Sequence, residues 1–507
     1  MKNRLISVTV LLALAACNGA AYSGADPEPK TKTDVLELST DTVTSSFQGE
    51  TATITITSNA QPSATCSEQW CYLQMGSKGR NAECELTVFP FFNENKGDRK
   101  AVITVKCGKL TKYIDVTQSG FKCETVETKK VTPAEHFKTL GFGWNLGNHM
   151  DAFNNGVSSE TAWGNAKCTQ AAIDAIKAAG IKTVRIPVTW MGHMGKEPTF
   201  TVSDAWMNRV AEIAGYVKKA GMNAIINIHH DGGVAYWFNI KSTGLEQEKM
   251  CNQFAQLWIQ IAEKFKDEGD WLIFEPFNEL QDGGWGWGDN RRDGGAQYRL
   301  INRLNDIFVK AIRSTGGKNA TRWLAACGYS NNAELTMEQL EIPADYVSNN
   351  RQMVSAHNYN PTEYTLETKY SQWGHTADRT KSCDNGKGEE TFRNDFNKLK
   401  ETYIDKGIPV YLGEMGCSFR AKEPDISFHK YYCEYACKAA HDAGITCVVW
   451  DNGSTGTGRE SHGYFNHGTG AFISYSGEVI KLMVKGATCE DPDYTLQSIY
   501  DRAPVIE

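Results

Sequence analysis

The sequence predicts an α/β protein whose larger part is a (β/α)8 barrel, preceded by a small all-β sandwich. Residues 130 to 505 alternate short apolar runs with amphipathic stretches, which is the pattern of a parallel α/β fold. Eight such runs can be counted there, and eight is the number of strands in that barrel. Residues 34 to 121 show strands of period two with no helical pattern between them.

Composition limits the classes of function. The 507 residues are 41% hydrophobic, enough for one large or two modest domains. The net charge of -7 has both signs interspersed, so the chain has no basic patch for nucleic acid and suits a neutral substrate. We expect a monomer that uses no cofactor and no metal.

The chain begins with a targeting segment. Lys2 and Arg4 precede an apolar run to Ala16, and the tetrapeptide ending at Cys17 (LAAC) resembles a bacterial lipobox. This predicts a lipoprotein signal peptide over residues 1 to 17, lipidation of Cys17 and a flexible tether over residues 18 to 33. An ordinary signal peptide is the alternative. A lipid anchor implies the bacterial cell envelope, and we expect the outer membrane, facing the cell surface.

Export would place the other fourteen cysteines in an oxidising compartment, where disulfides form. Pairings such as Cys66 with Cys71 or Cys433 with Cys437 are not fixed by spacing. Cys433 and Cys437 also have zinc-ligand spacing, but no second Cys or His pair stands nearby at ligand spacing, so we predict no zinc site there.

The strands of the sandwich are bounded by polar, Gly-containing turns. They read LELST, TATITIT, CELTVFP, AVITVKC and KYIDVTQSG. Trp70, the stretch NENKGDRKAVITV and the closing VTQSG resemble the BACON domain, an immunoglobulin-like module of carbohydrate-active proteins in Bacteroidetes. The resemblance leaves two roles open, a spacer between membrane and enzyme or a carbohydrate-binding module, and we favour the spacer.

The predicted barrel strands are near-continuous apolar runs, as expected for strands buried on both faces. They are FGWNLGN (142 to 148), TVRIPV (183 to 188), AIINIHH (224 to 230), WLIFEPFN (271 to 278), RWLAACG (322 to 328), MVSAHNY (353 to 359), PVYLGEMG (409 to 416) and CVVWDNG (447 to 453). Amphipathic stretches such as TQAAIDAIKAAG separate them, and several end in Gly, as helices commonly do.

Polar residues collect at the ends of these strands, where such a barrel carries its active site. They are Asn148, Arg185, His229, His230, Asn278, Glu279, His357, Tyr359, Glu414 and Trp450. Each alone is explained by a structural hydrogen bond, but buried charge on so many strand ends is costly unless it has a purpose. Glu279 and Glu414 facing each other across a cleft are the minimum equipment for cleaving a glycosidic bond.

In their order along the chain these residues resemble glycoside hydrolase family 5, over essentially all of residues 130 to 505. The stretches GWNLGNHMDAF, ETAWGN and TVRIPVTW further resemble subfamily 4, whose members are endo-acting β-1,4-glucanases, xyloglucanases and some xylanases. The resemblance implies that Glu279 is the acid/base and Glu414 the nucleophile. The tandem His229-His230 departs from the pattern; we match the first to the family's histidine, and a one-place shift would select His230.

The chemistry assigns the other roles. Arg185 and Tyr359 are expected to hold Glu414 as a carboxylate, and Asn278 to bind the sugar 2-hydroxyl. Carboxyl groups about 5 to 5.5 Å apart would give retention of configuration. Trp450 is predicted as the floor under the reacting sugar. Trp190, Trp237, Trp285, Trp287 and Trp373 fall in predicted loops and could stack on further sugars or merely pack the loops.

Two rival functions come from other classes. A catalytically silent carbohydrate-binding barrel would have no need of both carboxylates, yet both are present. A metal-dependent hydrolase could use the cluster His229, His230 and Asp231. These three residues are consecutive and do not form a set of ligands at a defined spacing, and a chelator would test this alternative. We therefore expect a β-glucan polysaccharide as substrate, with the backbone that is cut, glucan, xylan or mannan, left open.

Overall fold

The computed structural model describes residues 34 to 77, 79 and 82 to 505, and Cys17 lies outside them. The first part is a sandwich of two four-stranded sheets, in the orders β1-β3-β6-β5 and β2-β8-β7-β4. Their strands are β1 (Leu36–Leu38), β2 (Thr42–Ser45), β3 (Ala52–Ser58), β4 (Ser63–Cys66), β5 (Cys71–Met75), β6 (Glu83–Pro90), β7 (Arg99–Cys107) and β8 (Leu110–Gln118). Five of these were predicted; β2, β4 and β5 were missed, and each is only four or five residues long.

Residues from 143 onward form the predicted closed, parallel eight-stranded barrel. In chain order the strands are β9 (Gly143–Asn145), the outer hairpin β10 (Phe153–Asn154) and β11 (Val157–Ser158), then β12 (Thr183–Ile186), β13 (Asn223–Ile226), β14 (Leu272–Phe274), β15 (Leu324–Asn332), β16 (Gln352–Asn358), β17 (Val410–Met415) and β18 (Thr446–Val449). All eight predicted barrel strands are confirmed. Several end sooner than predicted, so some expected strand-end residues lie in the loops that follow.

Helices form the outer layer of the barrel. They are α1 (Pro133–Leu140), α2 (Gln170–Ala178), α3 (Asp204–Lys219), α4 (Gly244–Lys264), α5 (Ala296–Arg313), α6 (Ala333–Gln339), α7 (Thr362–Thr365), α8 (Gly388–Thr402), α9 (Asp425–Asp442), α10 (Ser476–Thr488) and α11 (Leu496–Tyr500). Their ends follow local chemistry: Thr132 and Glu135 form a capping box at the start of α1, with a proline in the first turn.

The sandwich is docked on the flank of the barrel formed by α4 and α5. The side chain of Asn252 accepts a hydrogen bond from the backbone N–H of Phe92 at 3.0 Å. Arg303 on α5 bridges Glu94 of the sandwich and Glu248 of α4, each at 2.7 Å. Phe121 packs on Tyr346 with ring centroids 5.1 Å apart. The sandwich that the sequence presents as independent is therefore attached to the barrel by polar and aromatic contacts.

No disulfide joins any of the fourteen cysteines that the structure describes. Cys433 and Cys437 are both buried on α9, and neither belongs to a group of described residues placed to hold a metal. Among residues 34 to 505, with the gaps noted above, there is no helix that is both long and apolar enough to cross a bilayer.

Candidate active site

Glu279 and Glu414 meet at the carboxyl-terminal end of the barrel. Glu414 lies in β17, and Glu279 follows β14 by five residues. One carboxylate oxygen of Glu279, one of Glu414 and a ring nitrogen of His357 lie within 4.8 Å of one another. Glu414 is almost fully enclosed, while the side chain of Glu279 is 21% exposed.

A bulge in β17 aims Glu414 at its partners. The register between β16 and β17 shifts by one residue from the pair Ala356 and Leu412 to the pair His357 and Glu414, which leaves Gly413 unpaired. A Cβ at Gly413 would lie 2.9 Å from the Ser355 hydroxyl and 3.1 Å from the His357 ring. Only glycine fits at this bend, and the bend places Glu414 beside His357.

Arg185 is fully buried in β12 and uses all five of its N–H donors. Nη1 donates to Glu414 at 2.9 Å and to Asn145 at 3.0 Å. Nη2 donates to Asn278 at 2.7 Å and to Glu275 at 2.6 Å, and Nε donates to the same Glu275 carboxylate. The predicted pairing of Arg185 with Glu414 is therefore present, and a second carboxylate, that of Glu275, lies on the other edge of the guanidinium.

Tyr359 supports Glu414 from another side. Its hydroxyl donates to Oε2 of Glu414 at 3.0 Å. Burial and the charge of Glu414 raise the pKa of Tyr359 well above its ordinary value, so the hydroxyl keeps its proton and remains a donor. Arg185 and Tyr359 each bind one oxygen of Glu414, which is the arrangement expected from the sequence.

Burial raises the pKa of the Glu414 carboxyl above its ordinary value, although the charges of His357 and Arg185 oppose this. Burial lowers the pKa of His357, but the charge of Glu414 and the bond to Glu279 outweigh it, so the net shift is upward. His357 Nδ1 lies 2.7 Å from Glu279 and 3.7 Å from Glu414. His357 therefore lies between the two carboxylates and is close to both of them.

The hydrogen bonds of Asn227 fix the tautomer of His229. The backbone N–H of Val188 donates to Oδ1 of Asn227 at 3.1 Å, so the amide nitrogen is the group that faces His229 Nδ1 at 3.1 Å. Nδ1 therefore accepts, and the ring proton is on Nε2, 3.9 Å from Glu414. Burial lowers the pKa of His229 well below its ordinary value and keeps the ring neutral.

His230 lies closer to the surface. Its Nε2 is 3.5 Å from Asp151, and its side chain is 35% exposed, whereas that of His229 is 1% exposed. Of the two histidines, only His229 is placed beside Glu414. Asp231, the third member of the rival metal cluster, instead accepts hydrogen bonds from Trp190 and Trp237.

Asp151, rather than Asp231, offers a ligand atom within 4.8 Å of both His229 and His230. However, Asn227 fixes the proton of His229 on the Nε2 atom that faces the cleft, and that nitrogen has no free lone pair for a metal. This cluster therefore gives the metal-dependent rival little support.

Asn278 and Trp450 border the space above Glu414. Because Oδ1 of Asn278 accepts from Arg185, its amide N–H groups are left to donate into the cleft. The Trp450 ring lies parallel to His229, with centroids 5.7 Å apart. A Cβ at Gly147 would come within 2.8 Å of the Trp450 ring, so the backbone of the β9 loop supports this ring directly.

Asn148 lies in the turn after β9, three residues beyond the end of the strand. Its backbone N–H donates to Asp151, and its carbonyl accepts from Asn165. The residue of this strand that contacts Arg185 is Asn145, which the sequence did not single out. A sugar-binding role for Asn148 stays a prediction.

The predicted aromatic residues divide into two groups. Trp285 and Trp287, in the loop after Glu279, are 59% and 73% exposed. The prediction for Trp373 is wrong: this side chain is 1% exposed and packs among Phe392, Tyr431, Tyr432 and Tyr435 of α8 and α9. Trp190 is buried as well, with its indole N–H bonded to the carbonyl of Asn227, while Trp237 is half-buried and bonded to Asp231.

A second group of aromatic residues lies near His230 and was not predicted. Phe153 packs on Trp163 and Tyr236 with centroids 5.5 and 5.8 Å apart, and Trp163 packs on His230 at 5.5 Å. Trp163 and Tyr236 are 40% and 37% exposed. These rings extend the line of Trp450, His229 and His230 outward from the carboxylates.

Sequence reasoning also missed the residues behind the carboxylates. Glu275 accepts from Arg185, from Asn227 at 3.0 Å and from the Tyr411 hydroxyl. A signal for Glu275 was available, since a charged residue directly follows the apolar run WLIF and a buried charge must be paired. Asn227 and Tyr411 lie among apolar neighbours and gave no such signal.

Comparison with known proteins agrees with this geometry. The model of the cellulase family, glycosyl hydrolase family 5, matches residues 148–456. Endoglucanase A of Paenibacillus barcinonensis is 32% identical over 360 residues, 68% of this chain and 87% of its own length. A GH5-4 broad specificity endoglucanase from Bacteroides salanitronis is 49% identical with a TM-score of 0.69, covering 73% of this chain and 98% of that one.

A Bacteroides ovatus GH5 xyloglucanase, solved in complex with a XXXG heptasaccharide, is 26% identical with a TM-score of 0.63. The match covers 89% of this chain and 100% of that one, so it extends from the barrel into the sandwich. Together with the paired carboxylates on β17 and after β14, these matches show that the chain belongs to glycosyl hydrolase family 5, the cellulase family.

Proposed function

We propose that this enzyme cuts β-1,4-linked glucan backbones within the chain, with retention of anomeric configuration, using Glu414 as nucleophile and Glu279 as acid/base. The observation that carries the proposal is the pair of carboxylates with oxygens within 4.8 Å. An inverting enzyme must hold a water between its carboxyl groups and separates them by about 6.5 to 9.5 Å. The short separation here supports direct attack on the sugar.

In the first half-reaction Glu414 attacks C1 of the sugar while Glu279 gives its proton to the departing glycosidic oxygen. The C1–O bond to the leaving chain breaks and an ester to Glu414 forms. Arg185 and Tyr359 hold the two oxygens of Glu414 in place for this attack. Asn278 is left with amide N–H groups to donate to the 2-hydroxyl, a contact that strengthens in the transition state.

In the second half-reaction a water attacks C1 and gives its proton to Glu279, and the ester to Glu414 breaks. The charge of Glu414 is absent from the ester, so the electrostatic environment of Glu279 changes between the two steps. His357, bonded to Glu279 at 2.7 Å, keeps that carboxyl oriented in both. Two inversions at C1 give net retention.

The cleft favours cutting within a chain. Because Glu279 protonates the leaving group, the loop directly after it, with Trp285 and Trp287 exposed, borders the departing side of the substrate. Trp163 packs on His230 and Tyr236 packs on Phe153, and we assign these rings to the other side of the cut. Exposed rings on both sides suit a polymer that continues past the cut in both directions, and stacking on sugar rings suits such flat aromatic faces.

Xyloglucan is the substrate that we propose first. The support is the similarity to a Bacteroides ovatus xyloglucanase over most of both chains, together with the exposed aromatic residues Trp285 and Trp287 at the rim of the cleft. Products from xyloglucan, carboxymethylcellulose, mixed-linkage glucan, xylan and mannan test the proposal. Oligosaccharides of mixed length should appear first from the glucans. Early release of only mono- or disaccharides rules out cutting within the chain, and activity confined to xylan or mannan removes the glucanase assignment.

We also propose export and lipidation at Cys17, with the sandwich acting as a BACON-like module on the outer membrane. The LAAC tetrapeptide and the apolar run before it support this proposal. Labelling expressing cells with a radioactive or clickable fatty acid tests it. The wild-type protein should be labelled and recovered with membranes, whereas Cys17→Ala should be unlabelled. Equal labelling of both proteins contradicts the proposal.

A further inference from the structure

Glu275 is linked to two of the groups around Glu414, to Arg185 directly and to His229 through Asn227. One side of its carboxylate accepts from Nε and Nη2 of Arg185, at 3.1 and 2.6 Å. Oε1 also accepts from the amide of Asn227 at 3.0 Å. Arg185 in turn donates to Glu414, and Asn227 fixes the proton of His229, whose Nε2 faces Glu414.

We infer that Glu275 is a positioning residue for the reaction: it fixes the plane of Arg185 against Glu414 and, through Asn227, fixes the proton of His229 on Nε2. The inference rests on the proposed role of Glu414 as nucleophile. Glu275 is fully buried and lies behind Arg185, so it acts on the reaction through its neighbours and not by touching the substrate.

The first route is geometric. A guanidinium is flat, and two bonds along one edge define its plane. With Glu275 holding Nε and Nη2, Nη1 is left in one position, from which it reaches both Asn145 and Glu414. Without Glu275 the guanidinium would lose its bonds on that edge and could rotate. A misplacement of about 1 Å at a reacting group costs on the order of 10²-fold in rate.

The second route is electrostatic. Glu275 and Glu414 are both partners of one buried cation, so the negative charge of Glu275 partly offsets Arg185 as seen by Glu414. The groups that face Glu275 are Arg185, Asn227, Cys327, Ser355, His357 and Tyr411. Those that face Glu414 are Arg185, His229, Glu279, His357 and Tyr359. Removing the charge of Glu275 should make Glu414 easier to ionise.

The test is Glu275→Gln, assayed as kcat/KM against pH on 2,4-dinitrophenyl β-cellobioside, whose leaving group needs no acid. The acidic limb of this profile then reports the ionisation of Glu414. We expect this limb to move to lower pH, and kcat to fall by about 10²-fold because glutamine is neutral, keeps only one acceptor oxygen and holds Arg185 less firmly. A folded Glu275→Gln protein with an unchanged limb and unchanged kcat overturns the inference.

Glu434 offers a matched control on α9. It is also a buried glutamate bound by an arginine at two points, Arg502 at 2.6 and 3.2 Å, and by a tyrosine hydroxyl, Tyr494 at 2.7 Å. Glu434→Gln should lose comparable stability while keeping the limb and kcat of the wild type. The same shift of the limb in both variants would show that it follows from destabilisation and overturns the inference.

Asn227→Ala tests the part of the inference that concerns His229. It also decides the matter if Glu275→Gln does not fold. With the proton of His229 no longer fixed, kcat should fall by about 10-fold at little change in KM, and an unchanged kcat overturns the inference. A 2-deoxy-2-fluoro cellobioside that traps the nucleophile separates the two proposals. A label on a residue other than Glu414 refutes the proposed function, while a label on Glu414 with unaffected variants refutes only the role of Glu275.

Discussion

The two carboxylates of this site are held in different ways. Glu414 lies within a strand, contacts Arg185 and Tyr359 at 2.9 and 3.0 Å, and is almost closed to solvent. Glu279 lies in a loop beyond its strand, is 21% exposed and is hydrogen-bonded to the ring of His357. The buried half of the site is thus built from strand residues and the rim half from loop residues.

The difference follows the chemistry that each half must perform. A nucleophile has to attack one atom from one direction, and buried, fully bonded neighbours fix that direction. An acid/base must exchange its proton with the leaving group and then with water, so it needs access to the cleft. The rim also meets a long polymer, and loops can change there without disturbing the strands.

The largest effect is expected at the buried carboxylate. Glu414→Ala should lower kcat by about 10⁴-fold or more, because no covalent intermediate can form. Azide should restore turnover by entering the vacated space, and the product should be the α-glycosyl azide. The measurement is product configuration by proton NMR. A β-glycosyl azide from this variant would reverse the roles of the two glutamates.

Glu279→Ala should be damaging in a different manner. Loss of a general acid costs about 10²- to 10⁴-fold on natural glucan, whose leaving group needs a proton. The first step on a 2,4-dinitrophenyl glycoside should be much less affected, and azide should then give the β-glycosyl azide. Comparing pre-steady-state bursts on the two substrates tests this. An equal loss on both substrates would contradict the assignment of Glu279 as acid.

Of the two consecutive histidines, His229 lies in the buried half of the site and His230 in the rim half. His229→Ala should lower kcat by about 10-fold or more, since its Nε2 lies 3.9 Å from Glu414. His230→Ala should mainly raise KM, because this ring lies with Trp163 and Phe153 at the rim. Steady-state kinetics on cello-oligosaccharides distinguish them. Equal losses in kcat, or a larger one at His230, would reverse their order.

Two tryptophans give a smaller contrast, Trp287 at the rim and Trp373 in the core. Trp287→Ala should raise KM for long oligosaccharides by about 5-fold, the equivalent of one stacking contact of about 1 kcal/mol, and leave thermal stability unchanged. Trp373→Ala should leave KM unchanged and lower the free energy of unfolding by about 3 to 5 kcal/mol, because it empties a core site. A change of KM without loss of stability at Trp373 would contradict its burial.

The smallest effect concerns stability at the nucleophile. Burial raises the pKa of Glu414 in the folded chain above its unfolded value of about 4.3. Such a group stabilises the fold below the unfolded pKa, and this contribution is lost as pH rises through the folded pKa. Glu414→Gln should therefore have a Tm at pH 7 equal to or slightly above that of the wild type, with the difference vanishing near pH 4. A clear drop in Tm at pH 7 would show that the contacts of Glu414 outweigh its burial.

The barrel could be predicted from the sequence because the patterns that indicate its strands and helices are local. Strands buried on both faces give apolar runs, and Gly180 and Gly221 follow α2 and α3 with positive φ, as the pattern predicted. The pair Glu279 and Glu414 was found because each stands at the end of such a run. Their roles as acid/base and nucleophile stay predictions until they are measured.

The residues behind the pair were not found, since they lie within strands or next to apolar residues. Asn145, Asn227 and Tyr411 look like ordinary strand positions until the barrel closes and brings them to Arg185 and Glu275. The prediction for Trp373 was wrong for a different reason. A tryptophan in a loop can face either solvent or the helices beneath, and only the packing of α8 and α9 decides which.

The docked sandwich has a practical consequence for handling the enzyme. Cutting the chain near residue 130 to obtain a bare barrel would uncover the Tyr346 ring and leave Arg303 without Glu94 and Asn252 without the Phe92 amide. A truncated form would therefore expose an aromatic ring and unpaired polar groups on this face of the barrel. We expect it to aggregate more readily than the longer chain. Conversely, the sandwich is held against α4 and α5. If the protein were immobilised on a surface through the sandwich, the active-site clefts of all molecules would have the same orientation relative to that surface.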